Sequence, residues 1–192
     1  VFDESAAEIV AHDPQTQRVF FTNSDANHIG VLDIADPTSP TELSPITFPS
    51  GTGGVNSVAV SSGIVAVAVA APTHTDPGGV LFFDVTLDFT AFDGQEDTLR
   101  SQGVRIFPGR SASRDLEPEY ASISPDGTRA YVTLQEANSV AVVDLVQPEI
   151  LEIQPLGVKD HSLPGNGIDP SDRDDAVAIA PHPVFGLYMP DA

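Results

Sequence analysis

The chain has 192 residues, 28 of them acidic and 8 basic, for a formal charge of -20 at pH 7. Phosphate backbones and anionic membrane surfaces are gripped through Lys and Arg, so this balance excludes nucleic acid and such surfaces as partners. Without a cysteine there is no disulfide framework, thiolate nucleophile or zinc-thiolate site, and no apolar run approaches the ~20 residues of a membrane span.

Residues 8–34, EIVAHDPQTQRVFFTNSDANHIGVLDI, divide at two turn signals. Asp13, Pro14 and Gln15 form the first, and the stretch from Asn23 to Asn27 forms the second. Short runs rich in Val, Ile and Phe between such signals predict three strands. Residues 55–60, 63–70 and 78–85 repeat the plan more loosely, with a Pro/Thr/His/Asp/Gly loop before the third strand. Residues 93–103, DGQEDTLRSQG, break it. Asp93 is placed as an N-cap with Glu96 three residues on, Leu99 is apolar and Gly103 is placed as a C-cap, which predicts one short helical insertion anchored by Phe89 and Phe92.

Residues 119–145 then restate residues 8–34 without a gap. Glu8 falls on Glu119, Pro14 on Pro125, Arg18 on Arg129, Thr22 on Thr133, Asn27 on Asn138 and Asp33 on Asp144. Here the first turn is SPDG, where Pro suits the second place of a tight turn and Gly supplies positive φ. Each third strand ends in a hydrophobe-Asp-hydrophobe signature, at Asp33, Asp84 and Asp144. An Asp there accepts hydrogen bonds from the backbone of the next turn, a structural role rather than a catalytic one.

Repeats of three or four strands spaced by about 40–50 residues indicate a β-propeller. The expected fold is all-β: a propeller portion with at least three antiparallel blades. A parallel β-helix is the weaker alternative, since its coils are shorter and lack hairpin turns. Closure of a propeller needs about four blades. Residues 1–192 are therefore read as one propeller domain that supplies three blades and, at PDA near Asp191, the start of another. No signal peptide is readable, and Val1 begins in what reads as the middle of a domain.

Four stretches carry a specific resemblance: FDESAAEIVAHDP, RIFPGRSASRDLEPEY, YVTLQEANSVAVVDL and KDHSLPGNGIDPSDRD. Together the chain resembles the choice-of-anchor I family of bacterial surface and secreted propellers, often labelled alkaline-phosphatase-like, to which mesenchyme-specific cell-surface glycoproteins look related. The resemblance covers nearly the whole chain and implies an extracellular or surface-anchored β-propeller, with a periplasmic location as the variant. Members of the family carry another blade where Val85 here runs almost directly into Asp88. Two readings of that difference stand, a natural deletion or an incomplete stretch of a longer chain, and the second is favoured.

The sharpest site hypothesis comes from aligning the innermost strands. Glu8, Asn56, Glu119 and Asp191 each stand just before an apolar strand. In a propeller such positions converge on the central channel, and four oxygen-bearing side chains facing one another are hard-cation chemistry, with calcium foremost. The competing reading is that they bond to neighbouring backbone or channel water. A second candidate is the loop at residues 160–175, where Asp169, Asp172, Asp174 and Asp175 could wrap a calcium ion or simply be solvated. Catalytic constellations are weak: Asp160 beside His161 as an acid/base pair, and Glu117, two residues from Glu119, as one of two carboxylates on a shared face.

The function expected is a non-catalytic, calcium-binding interaction or structural module, with extracellular matrix, surface or appendage proteins as partners. The alternative, from another class, is a metal-dependent phosphoric-ester hydrolase, a phosphatase or phosphodiesterase. Holding phosphate calls for cations and ideally Arg or Lys, and the second half offers only Arg105, Arg110, Arg114, Arg129, Lys159 and Arg173 beyond Arg100.

Overall fold

The computed structural model describes residues 7–61, 63–73, 78–82, 85–171, 173 and 175–191. It is mostly β, built from antiparallel sheets with few helices. The first sheet is a meander of β1 (Val10–Asp13), β2 (Arg18–Asn23) and β3 (His28–Asp33), continued by two short strands, β4 (Thr41–Glu42) and β5 (Ile46–Thr47), that both pair with β3. The second runs β6 (Val55–Ser61), β7 (Ile64–Val69), β8 (Gly79–Phe82), β9 (Val85–Asp88). The third runs β10 (Pro118–Ile123), β11 (Arg129–Leu134), β12 (Ser139–Asp144), β13 (Glu149–Pro155). A small hairpin of β14 (Lys159–Asp160) and β15 (Phe185–Gly186) follows.

Every unit thus has a fourth strand that a three-strand reading of the repeat omits. These outer strands carry weak signals. Thr41–Glu42 and Ile46–Thr47 are two residues each, and Glu149–Pro155 leaves most of its residues exposed, so little apolar alternation marks them. The three inner strands are different. β7 reads IVAVAV because both of its faces are covered. Val65, Val67 and Val69 join the core shared with the first sheet, while Ala66 and Ala68 join the core shared with the third. Successive side chains of a strand point to opposite faces, so the Val/Ala alternation makes the second sheet the filling between the other two.

The repeated identities have local causes. Thr22 and Thr133 each sit opposite the entry to a first strand. The Thr22 hydroxyl accepts the Ile9 N–H at 3.1 Å and the Thr133 hydroxyl accepts the Tyr120 N–H at 3.0 Å, holding backbone that the sheet ladder does not. Asn27 and Asn138 take φ of 49° and 50°, the left-handed region that Asn tolerates better than most residues. Asp33 Oδ1 accepts the Ala35 N–H at 2.9 Å, and Asp144 Oδ1 accepts those of Val146 and Gln147 at 2.8 and 3.0 Å. The signature aspartates are therefore turn caps at two of the three positions; Asp84 lies outside the described residues. Gly127 in the SPDG turn has φ of 70°, and its N–H donates to Ser124 O at 2.9 Å.

The insertion between the second and third sheets holds more helix than the sequence suggests: a 3-10 turn at Thr90–Phe92, α1 (Glu96–Gln102) and α2 (Ala112–Asp115). Gly103 closes α1 in the left-handed region at φ 106°, as expected. Asp93 is not the N-cap. Gln95 takes that place without a side-chain bond, because Asp93 is used across the insertion, accepting the Ser113 N–H at 2.8 Å and its hydroxyl at 2.9 Å. Glu96 likewise accepts the N–H groups of Gly94 and Ala112, both at 3.0 Å. Phe89 is fully buried and Phe92 packs against the same core.

Candidate functional site

β6 of the second sheet packs against β1 and β2 on one side and against β10 on the other, so the entries of consecutive first strands lie near one another. β6 and β10 each carry an irregularity of register at this entry, between Val55 and Ser57 and between Pro118 and Ala121. There Asn56 reaches across the sheets: its Nδ2 donates to Pro118 O at 2.8 Å and to Glu119 Oε2 at 3.3 Å. The Ser57 hydroxyl accepts the Ala121 N–H at 3.2 Å one step further in.

Around Glu119 the structure gathers negative charge. Glu117, Glu119 and Glu136 each offer a carboxylate oxygen within 4.8 Å of the others, and among the described residues this is the one group of three that could hold a metal ion. The Glu119 carboxyl is pushed up to about 7, first by burial and then by the charges of Glu136, Asp191 and Glu117. Glu136 Oε2 is closed off from solvent and meets no donor. Arg105 fixes the main chain at that point by donating to the Glu136 carbonyl at 2.9 Å. Beside the cluster opens a cavity of about 260 Å³ lined by Asn56, Pro72, Gly78, Arg114, Glu117 and Glu119, among others.

Of the four residues expected to ring a channel, the structure joins Asn56 to Glu119 and sets Asp191 close enough to act on Glu119 electrostatically. Asp191 is held through its backbone, whose carbonyl accepts the Thr133 hydroxyl at 3.1 Å. Glu8 stands apart. Its N–H donates to Thr22 Oγ1 at 3.4 Å, it is exposed, and its carboxylate bonds to none of the other three. The physical reason is its place on the first sheet, which is separated from β10 by the whole of the second.

Glu136 is the site residue that reading the innermost strands alone misses. It comes from the turn between β11 and β12, not from a first strand. A signal was present, because the repeat sets Glu136 on Asp25, an acid at the same place in the first copy. Arg114, beside the cluster, follows from no spacing rule.

The remaining candidates are engaged elsewhere. Asp160 accepts the Ser162 N–H at 2.8 Å and its hydroxyl at 2.6 Å; these bonds, the hydroxyl's first, hold its carboxyl below the usual range. His161 donates from Nδ1 to the Asn166 carbonyl at 2.6 Å, and its Nε2 lies over Gly186, where an added Cβ would come within 2.8 Å. Each side chain is thus engaged with another group, and no hydrogen bond joins the two. In the acidic loop, Asp169 spends both oxygens on its own backbone, accepting the Ser171 N–H at 3.3 Å and the Ala178 N–H at 2.9 Å. Asp175 is exposed with φ of 53°, while Asp172 and Asp174 lie outside the described residues.

Fold and site together define a mostly β protein of consecutive antiparallel meanders with an acidic group where two first strands meet. The chain belongs to the choice-of-anchor I family, whose domain model matches residues 8–88 and 84–192. That family is one of surface-associated structural or interaction modules, secreted or on the cell surface. No helix among the described residues is long and apolar enough to cross a membrane. No curated protein matches the chain. Among solved structures it is similar to the hydrazine synthase of Kuenenia stuttgartiensis, at 16% identity and a TM-score of 0.46, over 80% of this chain and 39% of that one. It is also similar to a functionally unknown protein from Desulfotomaculum acetoxidans, at 14% identity and a TM-score of 0.46, over 77% of this chain and 42% of that one. The chain thus spans about two fifths of the length of each.

Proposed function

We propose that this chain is a portion of a secreted or cell-surface β-propeller that acts as a calcium-binding interaction module, the ion being held by Glu117, Glu119 and Glu136. The three consecutive antiparallel meanders, of five, four and four strands and packed through their first strands, support the propeller reading. The meeting of the two family matches at residues 84–88 supports the reading that a blade found in relatives is absent at this point.

The single observation that carries the site is the convergence of three carboxylates within 4.8 Å of one another, one of whose buried oxygens lacks any donor. Like charges at that spacing repel, and a divalent cation relieves the repulsion while filling part of its shell of six to eight oxygens. The hydrolase alternative has less to rest on. Ser162 gives its hydroxyl hydrogen to Asp160, and His161 gives Nδ1 to a carbonyl. The proposed partners are surface, matrix or appendage proteins, met through an acidic face.

The test is thermal melting at pH 8 with and without calcium. A ligand that binds only the folded state adds about 2.7 kcal/mol at a hundredfold excess over its Kd. The wild type is expected to melt higher with calcium, and Glu119→Gln and Glu136→Gln are expected to lose most of that rise. No rise in the wild type overturns the metal reading.

A further inference from the structure

The internal repeat makes the two outer faces of the stacked sheets comparable residue by residue. Phe20, Ile29 and Val31 of the first sheet share a core with Val58, Val65 and Val67 of the second and are buried, with 7% of Phe20 exposed. Their counterparts in the third sheet are Tyr131, Val140 and Val142. These keep the apolar character of the set, but Tyr131 is 45% exposed and the two valines are half-buried. Residues 188–191 cross the entry of this face and leave Tyr131 open: Asn138 Oδ1 accepts the Tyr188 N–H at 2.8 Å, and the Thr133 hydroxyl donates to the Asp191 carbonyl at 3.1 Å.

The opposite end of the stack shows the converse. Ala121, Ala130, Val132 and Val143 of the third sheet share a core with Ala66, Ala68 and Val80 of the second and are buried, with 1% of Ala121 exposed. Their counterparts in the first sheet are Val10, Val19, Phe21 and Leu32, and the pairings Val10 with Phe21 and Val19 with Leu32 put them on one face. Val10 is 67% exposed and the other three are half-buried. The third sheet therefore ends the stack in a face of the kind that is covered, and the first begins it with a face of the kind that covers. One chain carries both sides of a junction that it already makes twice, between its first and second sheets and between its second and third.

We propose that a second copy of this chain covers these faces, the free face of the first sheet of each copy packing on the free face of the third sheet of the other. The contact continues the series of junctions inside the chain and takes the exposed apolar side chains out of water. It joins two different patches, so it is heterologous, and it closes or grows without limit according to the rotation it imposes. Three meanders per copy make six in a pair, within the roughly four to eight blades of propellers. Closure at two copies thus rests on the propeller reading proposed above.

The experiment is sedimentation of the whole chain across a wide range of concentration. The wild type is expected to give a discrete species of twice the 20.2 kDa chain mass. Tyr131→Lys and Val10→Glu are each expected to give monomer, because each puts an unpaired charge into both junctions of the pair. Both side chains are exposed in the single chain, so the variants keep the fold, and circular dichroism of each checks it. Mixed in equal amounts, the two variants are expected to pair again, since one junction of the mixed pair then carries neither substitution. A wild type that is monomeric at every concentration overturns the second copy and leaves the propeller reading standing, with a further meander as the cover. A pair that only one substitution breaks, or that the mixture does not restore, overturns the head-to-tail arrangement. An open series of larger species, blocked by either substitution, overturns closure at two and the propeller reading with it.

Discussion

Replacing Glu119 by Gln tests whether the acidic cluster is a real electrostatic burden. The carboxyl ordinarily titrates near 4.5 and in the folded chain is raised to about 7. Below 4.5 it is protonated in both folded and unfolded chains and contributes no pH dependence. Between 4.5 and 7 the unfolded chain ionises while the folded chain keeps its proton, so stability falls as pH rises. Above 7 both are ionised and the folded state bears the full penalty. At about 1.36 kcal/mol per pH unit the interval gives a ceiling of about 3 kcal/mol. Glu119 is only about half buried, so solvent screening reduces this to about 1–2 kcal/mol. Gln keeps an oxygen that can accept from Asn56 Nδ2 and carries no charge. In metal-free buffer the variant is therefore expected to equal the wild type at pH 4 and to exceed it by about 1–2 kcal/mol at pH 8. For a chain of this size that is a rise of roughly 2–8 °C in Tm. The assay is a pair of thermal or urea unfolding series across that pH range, compared at each pH so that other carboxylates cancel. A difference independent of pH, or a variant less stable than the wild type at pH 8, refutes the reasoning.

Calcium binding is expected to be tighter at pH 8 than at pH 6, because the ion competes with the proton on Glu119; calorimetric titration at the two pH values reads this, and equal affinities count against Glu119 as a ligand. Asn138→Ala is expected to cost roughly 3–4 kcal/mol in urea denaturation, since the buried side chain donates to Gly157 O at 2.7 Å, accepts the N–H groups of Tyr188 and Met189 at 2.8 and 3.2 Å, and holds φ of 50°. Asn138→Gly is expected to return only the backbone share, about 1 kcal/mol. Gly53→Ala is expected to lower stability by about 3 kcal/mol, because its Cβ would run into the Ala70 carbonyl, which is backbone and has no rotamer to retreat to; a variant that melts with the wild type removes this packing argument.

Much of the fold was legible where chemistry is local. The turns at Asp13 and at SPDG, the Gly103 cap, and the paired Thr22 and Thr133 answer to bonds within a few residues or across one hairpin. The outer strands were not legible, because two-residue pairings such as Thr41–Glu42 carry no period and an exposed strand such as Glu149–Pro155 needs little apolar residue. Asp93 shows a local rule losing to a distant partner. Its position fits a capping box, but the N–H and hydroxyl of Ser113, twenty residues on, are the donors it takes.

The candidate site divides along the same line. Asn56 and Glu119 were found by register, since repeated units place equivalent residues at equivalent entries and consecutive sheets bring those entries into hydrogen-bond reach. Register also assigns Glu8 to the group, but equivalence within a unit is not proximity between units: the second sheet packs on the first through β1 and β2 and on the third through β10, so it stands between Glu8 and Glu119. Glu136 comes from the turn between β11 and β12, which brings it to the same entry from outside the first strands. The strand periodicity that predicts the scaffold therefore misses it, and it supplies what the scaffold residues lack: a buried carboxylate oxygen without a donor. For that reason the proposed calcium site falls at the junction of the second and third sheets rather than in the acidic loop, where Asp169 has satisfied its own carboxylate.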